Sequence, residues 1–168
     1  MATVAERRAL MGELERRGMA DLAKLWRAAG LSDDFRAMIV AAFPELVIQW
    51  GTVAADLAAG WYEESSPRSL YVARVADPPP LSRFEKSAEY ALNIGTAETA
   101  PLILAGTLQR GVWDMSRETT KLNAEREPGA TWGRKARADA CDLCQDLADD
   151  ASDFYHDHCH CVAVETRP

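Results

Sequence analysis

All four cysteines of this chain fall close together near its end, as Cys141-x-x-Cys144 and Cys159-x-Cys161 with fourteen residues between the pairs, and His156, His158 and His160 lie in the same stretch. Soft thiolate sulfur and imidazole nitrogen gathered around tight turns are what tetrahedral Zn²⁺ requires, and a C-x-x-C offers two ligands from one turn. Cys159 and Cys161 flank His160, so both sulfurs reach one ion only if the backbone bends there. His156 with Cys159 forms an H-x-x-C whose spacing matches the first pair more closely. The candidate ligands are therefore Cys141, Cys144, His156, Cys159 and Cys161, with His158 as the alternative, and they compete for four places. Two disulfides, or a reduced cluster without metal, are the competing readings of the same residues.

The distribution of charge follows this division. The formal net charge is −7, and residues 141–168 hold seven acidic groups against Arg167 alone, so the rest of the chain is close to neutral. The aspartates around the cysteines are expected to be solvated loop residues, because a hard oxygen site is not built around four sulfurs. An acidic protein does not suit nucleic-acid coating or polybasic membrane binding, both of which depend on Lys and Arg meeting phosphate. No targeting segment is legible, and the longest apolar run, residues 37–43, is far short of a membrane span. The expectation is a protein made in a cytosol, where thiols stay reduced and clustered cysteines bind metal more often than they pair.

Ahead of the tail the pattern is helical. Val4, Met11, Leu14, Leu22, Leu25 and Trp26 recur at helical spacing over residues 4–27, with Gly18 as a weak point and Gly30 as a stop. Ser32 before Asp33 and Asp34 reads as an N-cap. An apolar stripe then runs from Phe35 to Trp61, interrupted by Pro44, which implies a kinked helix or two helices meeting near Phe43. Residues 49–61 are rich in Ala and Gly, which lets a second helix approach closely and marks the centre of a bundle. Pro67, a β-like run over residues 70–75 and Pro78 to Pro80 predict an extended surface crossover over about residues 65–81. Two more helices follow, one over residues 82–94 and a long one from Thr96 or Glu98 through Leu102, Ile103, Leu108, Val112, Trp113 and Leu122 to Glu127, where Pro128 and Gly129 stop it. Val162 to Val164 reads as a short β-like end. The fold class is mainly α: a helical body over residues 1–128 with an extended crossover, and a Cys/His-rich metal-binding module with short β over residues 129–168.

Nothing in the body supplies a catalytic constellation. Every His lies in the tail, no G-x-S-x-G is present, and no Gly-rich phosphate loop precedes a helix. Sulfur-rich coordination leaves no open position for water, so a structural zinc is expected over a catalytic one. Arg134, Lys135 and Arg137 form a basic group that reads as an ordinary solvated linker.

Three stretches carry a resemblance to a known family: AADLAAGWY over residues 54–62, WGRKARADACDLCQDLA over 132–148 and YHDHCHC over 155–161. Together they resemble the MuF-like minor head proteins of tailed bacteriophages, especially those of actinobacterial hosts, with order and spacing matching over most of the chain. On that resemblance His156, Cys159 and Cys161 fall on the closing motif and Cys141 and Cys144 on the upstream pair, while the link between them is shorter and richer in Asp. The resemblance implies a non-enzymatic minor capsid protein in the phage head interior or at the portal vertex, made in the host cytoplasm. It would assist head morphogenesis and DNA passage, with portal protein as partner and major capsid or scaffold protein as further ones. Neither a membrane nor sequence-specific nucleic acid is expected among its contacts. The alternative is a zinc-stabilised HNH-type (ββα-metal) nuclease, in which His156 or His158 would activate water. Against that, only seven residues follow Cys161.

Overall fold

The structure, a computed structural model, describes residues 2–66, 71–148 and 159–167. Four long helices make the body: α1 (Val4–Ala29), α2 (Phe35–Ser65), α3 (Leu81–Ile94) and α4 (Ala100–Arg126). They are followed by β1 (Thr131–Lys135), a short helix α5 (Asp142–Asp146) and β2 (Val162–Thr166). The protein is mainly helical with a small antiparallel sheet and a C-terminal cysteine cluster, as the sequence pattern predicts.

Local chemistry explains the helix ends. Thr3 opens α1 with a reciprocal capping box: its hydroxyl accepts from the Glu6 N–H at 3.2 Å, and the Glu6 carboxylate accepts from the Thr3 N–H at 2.7 Å. Gly18 does not weaken this helix. It is buried where α1 meets Trp50 of α2 and Leu108 of α4, and a side chain there would crowd both. Ser32 is not the N-cap of α2; its hydroxyl accepts from the Asp34 N–H within the connecting turn, and Asp34 occupies the cap position. The long apolar stripe forms one helix that runs through Pro44. Placing Pro in a helix interior costs about 3 kcal/mol, and the flanking Phe43 and Val47, both fully buried, offset that by core packing.

The core lies between α2 and α4, with α1 and α3 packed on their sides. Ala54, Ala55, Ala58 and Gly51 are buried along α2, in agreement with the small-residue expectation. By length and composition α2 could cross a bilayer; here its buried face packs against the three other long helices. Gly111 of α4 marks a close approach to α2, since a Cβ there would stand 2.4 Å from Val47 Cγ1. Leu102, expected on the apolar stripe of α4, is instead exposed.

No strand forms over residues 71–75. The described part of the crossover, residues 71–80, lacks regular structure and is bound by side chains of α4 and by Glu63 of α2, which accepts from the Ala73 N–H at 2.8 Å, instead of by a neighbouring strand. Asn123 uses its amide as a strand edge would: its Oδ1 accepts from the Arg74 N–H at 2.8 Å and its Nδ2 donates to the Arg74 carbonyl at 2.7 Å. Thr119 Oγ1 accepts from the Ala76 N–H, and the Tyr71 hydroxyl donates to Asn123. Backbone polar groups leaving solvent must find partners, and these buried polar residues on α4 supply them.

The tail strands dock on the body. β1 and β2 pair antiparallel from Thr131↔Thr166 to Lys135↔Val162, and Val162 joins the main core. Arg7 of α1 meets Glu165 of β2 in a bidentate ion pair, both contacts at 2.9 Å, with both side chains about 95% buried. Arg167 donates to Glu127 at 2.9 Å and stacks over Tyr62, whose hydroxyl also donates to Glu127. Burial pushes both carboxyls up, but the donors outweigh it: Arg7 and Ser65 hold Glu165, and Tyr62, Arg167 and Ser66 hold Glu127, below the ordinary glutamate value.

Two outcomes follow. Glu165 and Glu127 stabilise the fold fully above the unfolded glutamate pKa of about 4.3, and that contribution is lost as pH falls through their lower folded values. Acid unfolding of Arg7→Met should therefore lack part of this pH dependence, while its stability at pH 7 falls by about 3–5 kcal/mol because Glu165 is left buried without its main partner. Gly111→Ala should destabilise by about 1–2 kcal/mol in urea titration, since the clash with a β-branched neighbour exceeds the gain of about 1 kcal/mol in helix propensity.

Candidate metal centre

The strand pairing brings the two cysteine motifs to one corner. Lys135 and Val162 are opposite each other at the end of the sheet; Cys161 immediately precedes Val162, and the chain leaving Lys135 reaches Cys141 within six residues. Cys141 then caps α5 at its N-terminus, and Cys144 sits on that helix one turn on. The backbone does turn between Cys159 and Cys161, so both point to the same place. The Sγ atoms of Cys144, Cys159 and Cys161 all lie within 4.8 Å of one another, and all three residues are buried. Cys141 is exposed but lines the same cavity, of about 190 Å³. His156 and His158 lie outside the described residues.

The separations bear on the disulfide reading. Cys144 Sγ and Cys159 Sγ are 3.7 Å apart. A disulfide requires about 2.05 Å, whereas Zn–S bonds of 2.3 Å in a tetrahedron put neighbouring sulfurs about 3.8 Å apart. None of the four cysteines is disulfide-bonded. The donor set and its spacing fit a thiophilic divalent ion.

The cluster is electrostatically uneven. Cys161 donates to Cys159, and that hydrogen bond, helped by the Arg117 charge and opposed by burial, draws the Cys159 thiol down to about 4. The same hydrogen bond, together with burial, pushes Cys161 far up, and burial raises Cys144 to about 11. An incoming cation must displace the protons the sulfurs carry, so uptake depends on pH.

The helical body braces the turn from outside. Arg117 of α4, nearly fully buried, donates from Nη2 to the Cys159 carbonyl at 2.7 Å and from Nε to the Cys161 carbonyl at 3.0 Å. Gln109, about two helical turns earlier on α4, reaches the Cys159 carbonyl at 3.5 Å. Arg8 of α1 donates to the carbonyls of His160, Lys135 and Ala136. His160 Nε2 pairs with Glu15 at 3.1 Å, and its ring meets Trp113 edge-on; Glu15 also accepts from the Trp113 indole at 2.9 Å. The sequence pattern does not single out Arg117, Gln109, Arg8 or Glu15. Their only signal is that Arg117 and Gln109 stand on the same helix as the apolar stripe, at spacings that keep them near Trp113.

The basic group also differs from expectation. Arg134 is fully buried within β1 and is no solvated linker, while Lys135 is exposed and Arg137 is tied to Asp139 at 2.5 and 2.8 Å.

Among known proteins, a family described as VG15 protein matches the chain over residues 1–168. No curated protein and no solved structure matches it.

Exposure predicts how the thiols react. In the reduced, chelator-treated protein, maleimide should modify Cys141 first, and Cys144, Cys159 and Cys161 only once denaturant is added. Peptide mass spectrometry reads the order; equal labelling of all four in the native state would contradict the buried cluster.

Proposed function

The chain belongs to the VG15 protein family, and from that premise we propose that it is a structural minor capsid protein of a tailed-phage head, of the MuF-like type, acting without catalysis of its own. The family supports a phage-encoded, virion-associated protein. In this reading the helical body docks on the portal vertex, with major capsid or scaffold protein as further neighbours, and assists head morphogenesis and DNA passage. The cysteine cluster holds a structural zinc ion.

The observation that carries the structural role is the enclosure of the cluster. Catalytic zinc keeps an open position for water or substrate, whereas here three buried sulfurs converge, a fourth cysteine, Cys141, lines the same cavity and can fill the remaining position, and the Cys159–Cys161 turn is braced by α1 and α4. Zinc bound there would add its binding free energy to that of folding, because the preformed site is lost on unfolding. The docking role accords with a body close to neutral in charge, and with the exposed Tyr90, Ile94 and Leu102 at one end of α3 and α4, which suit contact with protein more than with phosphate.

Two measurements test this. Purified reduced protein should carry about one zinc per chain, and removing it, or making Cys144→Ser, should lower the melting temperature by several degrees, roughly 2–4 °C per kcal/mol for a domain of this size. The protein should co-purify with portal protein and be found in mature heads by mass spectrometry; its absence from heads would sink the virion role. Plasmid incubated with Mg²⁺ or Mn²⁺ should remain intact, and cleavage lost on His156→Ala would establish the nuclease instead.

A further inference from the structure

Three buried sulfurs, of Cys144, Cys159 and Cys161, form the cluster, which leaves a tetrahedral ion one further ligand to find. Cys141 lines the same cavity, and its thiol is hydrogen-bonded to that of Cys144. Cys141 is the N-cap residue of α5, one helical turn before Cys144, so both sulfurs of the C-x-x-C come from the same short helix. His160, the imidazole that the structure places beside the cluster, has its Nε2 on Glu15 and its ring against Trp113.

Charge points the same way. A divalent ion with four thiolates carries a net charge of about −2, and with three thiolates and an imidazole about −1. An anionic centre walled off from water needs fixed positive charge beside it. Arg117 and Arg8 converge on the Cys159–His160–Cys161 turn from two different helices, and each spends donors on its carbonyls. Asp114 faces Arg117 at 3.0 Å but is shared with Arg83 and Arg110, so it does not cancel the pair.

We propose that the metal is held by four thiolates, Cys141, Cys144, Cys159 and Cys161, and that Arg117 is the positioning residue and buried countercharge for this centre. The inference rests on the zinc reading above and names its ligands. Arg117 fixes the two carbonyls that set the direction of the Cys159 and Cys161 side chains, and its guanidinium offsets the negative charge that four sulfurs bring to the ion. The dissociation of Arg117 from that turn would free both sulfurs together.

Cobalt substitution in the full-length reduced chain tests the ligand set. Co²⁺ should give the tetrahedral d–d envelope and near-ultraviolet thiolate charge transfer of an all-sulfur site. Cys141→Ser should remove about a quarter of the charge-transfer intensity, while His156→Ala and His158→Ala leave the spectrum unchanged. A spectrum insensitive to Cys141→Ser and altered by either histidine variant would overturn the four-thiolate assignment while leaving metal binding intact. A wild-type chain that takes up neither Co²⁺ nor Zn²⁺ would overturn the zinc reading itself. For Arg117, chelator competition should show about 10- to 100-fold weaker metal affinity in Arg117→Gln, as expected for loss of a second layer of support. If that variant loses its helical circular dichroism, Arg117→Lys carries the measurement: it keeps the charge, loses the fork and should bind about tenfold more weakly. Unchanged affinity in a folded variant would overturn the role of Arg117.

Discussion

The tail of this protein holds its shape because arginines from the helical body reach into it. The sheet has two strands of five residues, and an isolated pair of that size is marginal in water. Its attachment is supplied by Arg7 on Glu165, Arg117 on the carbonyls of Cys159 and Cys161, Arg8 on those of His160 and Ala136, and Arg167 of β2's trailing end on Glu127. Charge-assisted hydrogen bonds of this kind are shorter and stronger than neutral ones, and bidentate geometry adds direction. Buried from water, each also becomes costly to break on one side only. The sheet, its register and the cysteine corner all depend on these contacts.

That dependence gives the metal centre a structural logic. Two short motifs come together because Lys135 and Val162 are paired, and their pairing persists because β2 is anchored on α1 and α4. A zinc ion at the corner would close the remaining free end of the same unit. Metal and ion pairs would thus stabilise one element from opposite ends. The Cys159 thiol is drawn down first by the hydrogen bond from Cys161, and the charge of Arg117 behind the turn adds to it.

The polar face of α4 is the part of the fold that most resists reading from sequence. Gln109, Ser116, Arg117, Thr119, Thr120 and Asn123 are all buried, yet a periodicity count assigns such residues to solvent. Four of them serve backbone that packs there: Asn123 and Thr119 serve the crossover, and Gln109 and Arg117 serve the C-x-C turn. The same cause explains two corrections. Residues 71–75 look like a strand and form none, since side chains of α4 satisfy them; Arg134 looks solvated and is buried, since β1 lies against the body.

The order of four helices, their ends at Gly30, Gly95 and Pro128, the small-residue centre of α2 and the cysteine motifs were all determined by the sequence itself, because they depend on spacing and on local backbone chemistry. Spacing also sufficed to nominate the metal ligands. Which sulfurs converge, which arginine stands behind them and which carboxylate receives Arg7 were decided only by tertiary structure. The arginines and their partners are separated by 42 to 158 residues, and no local pattern encodes a contact that exists only once helices and strands have packed.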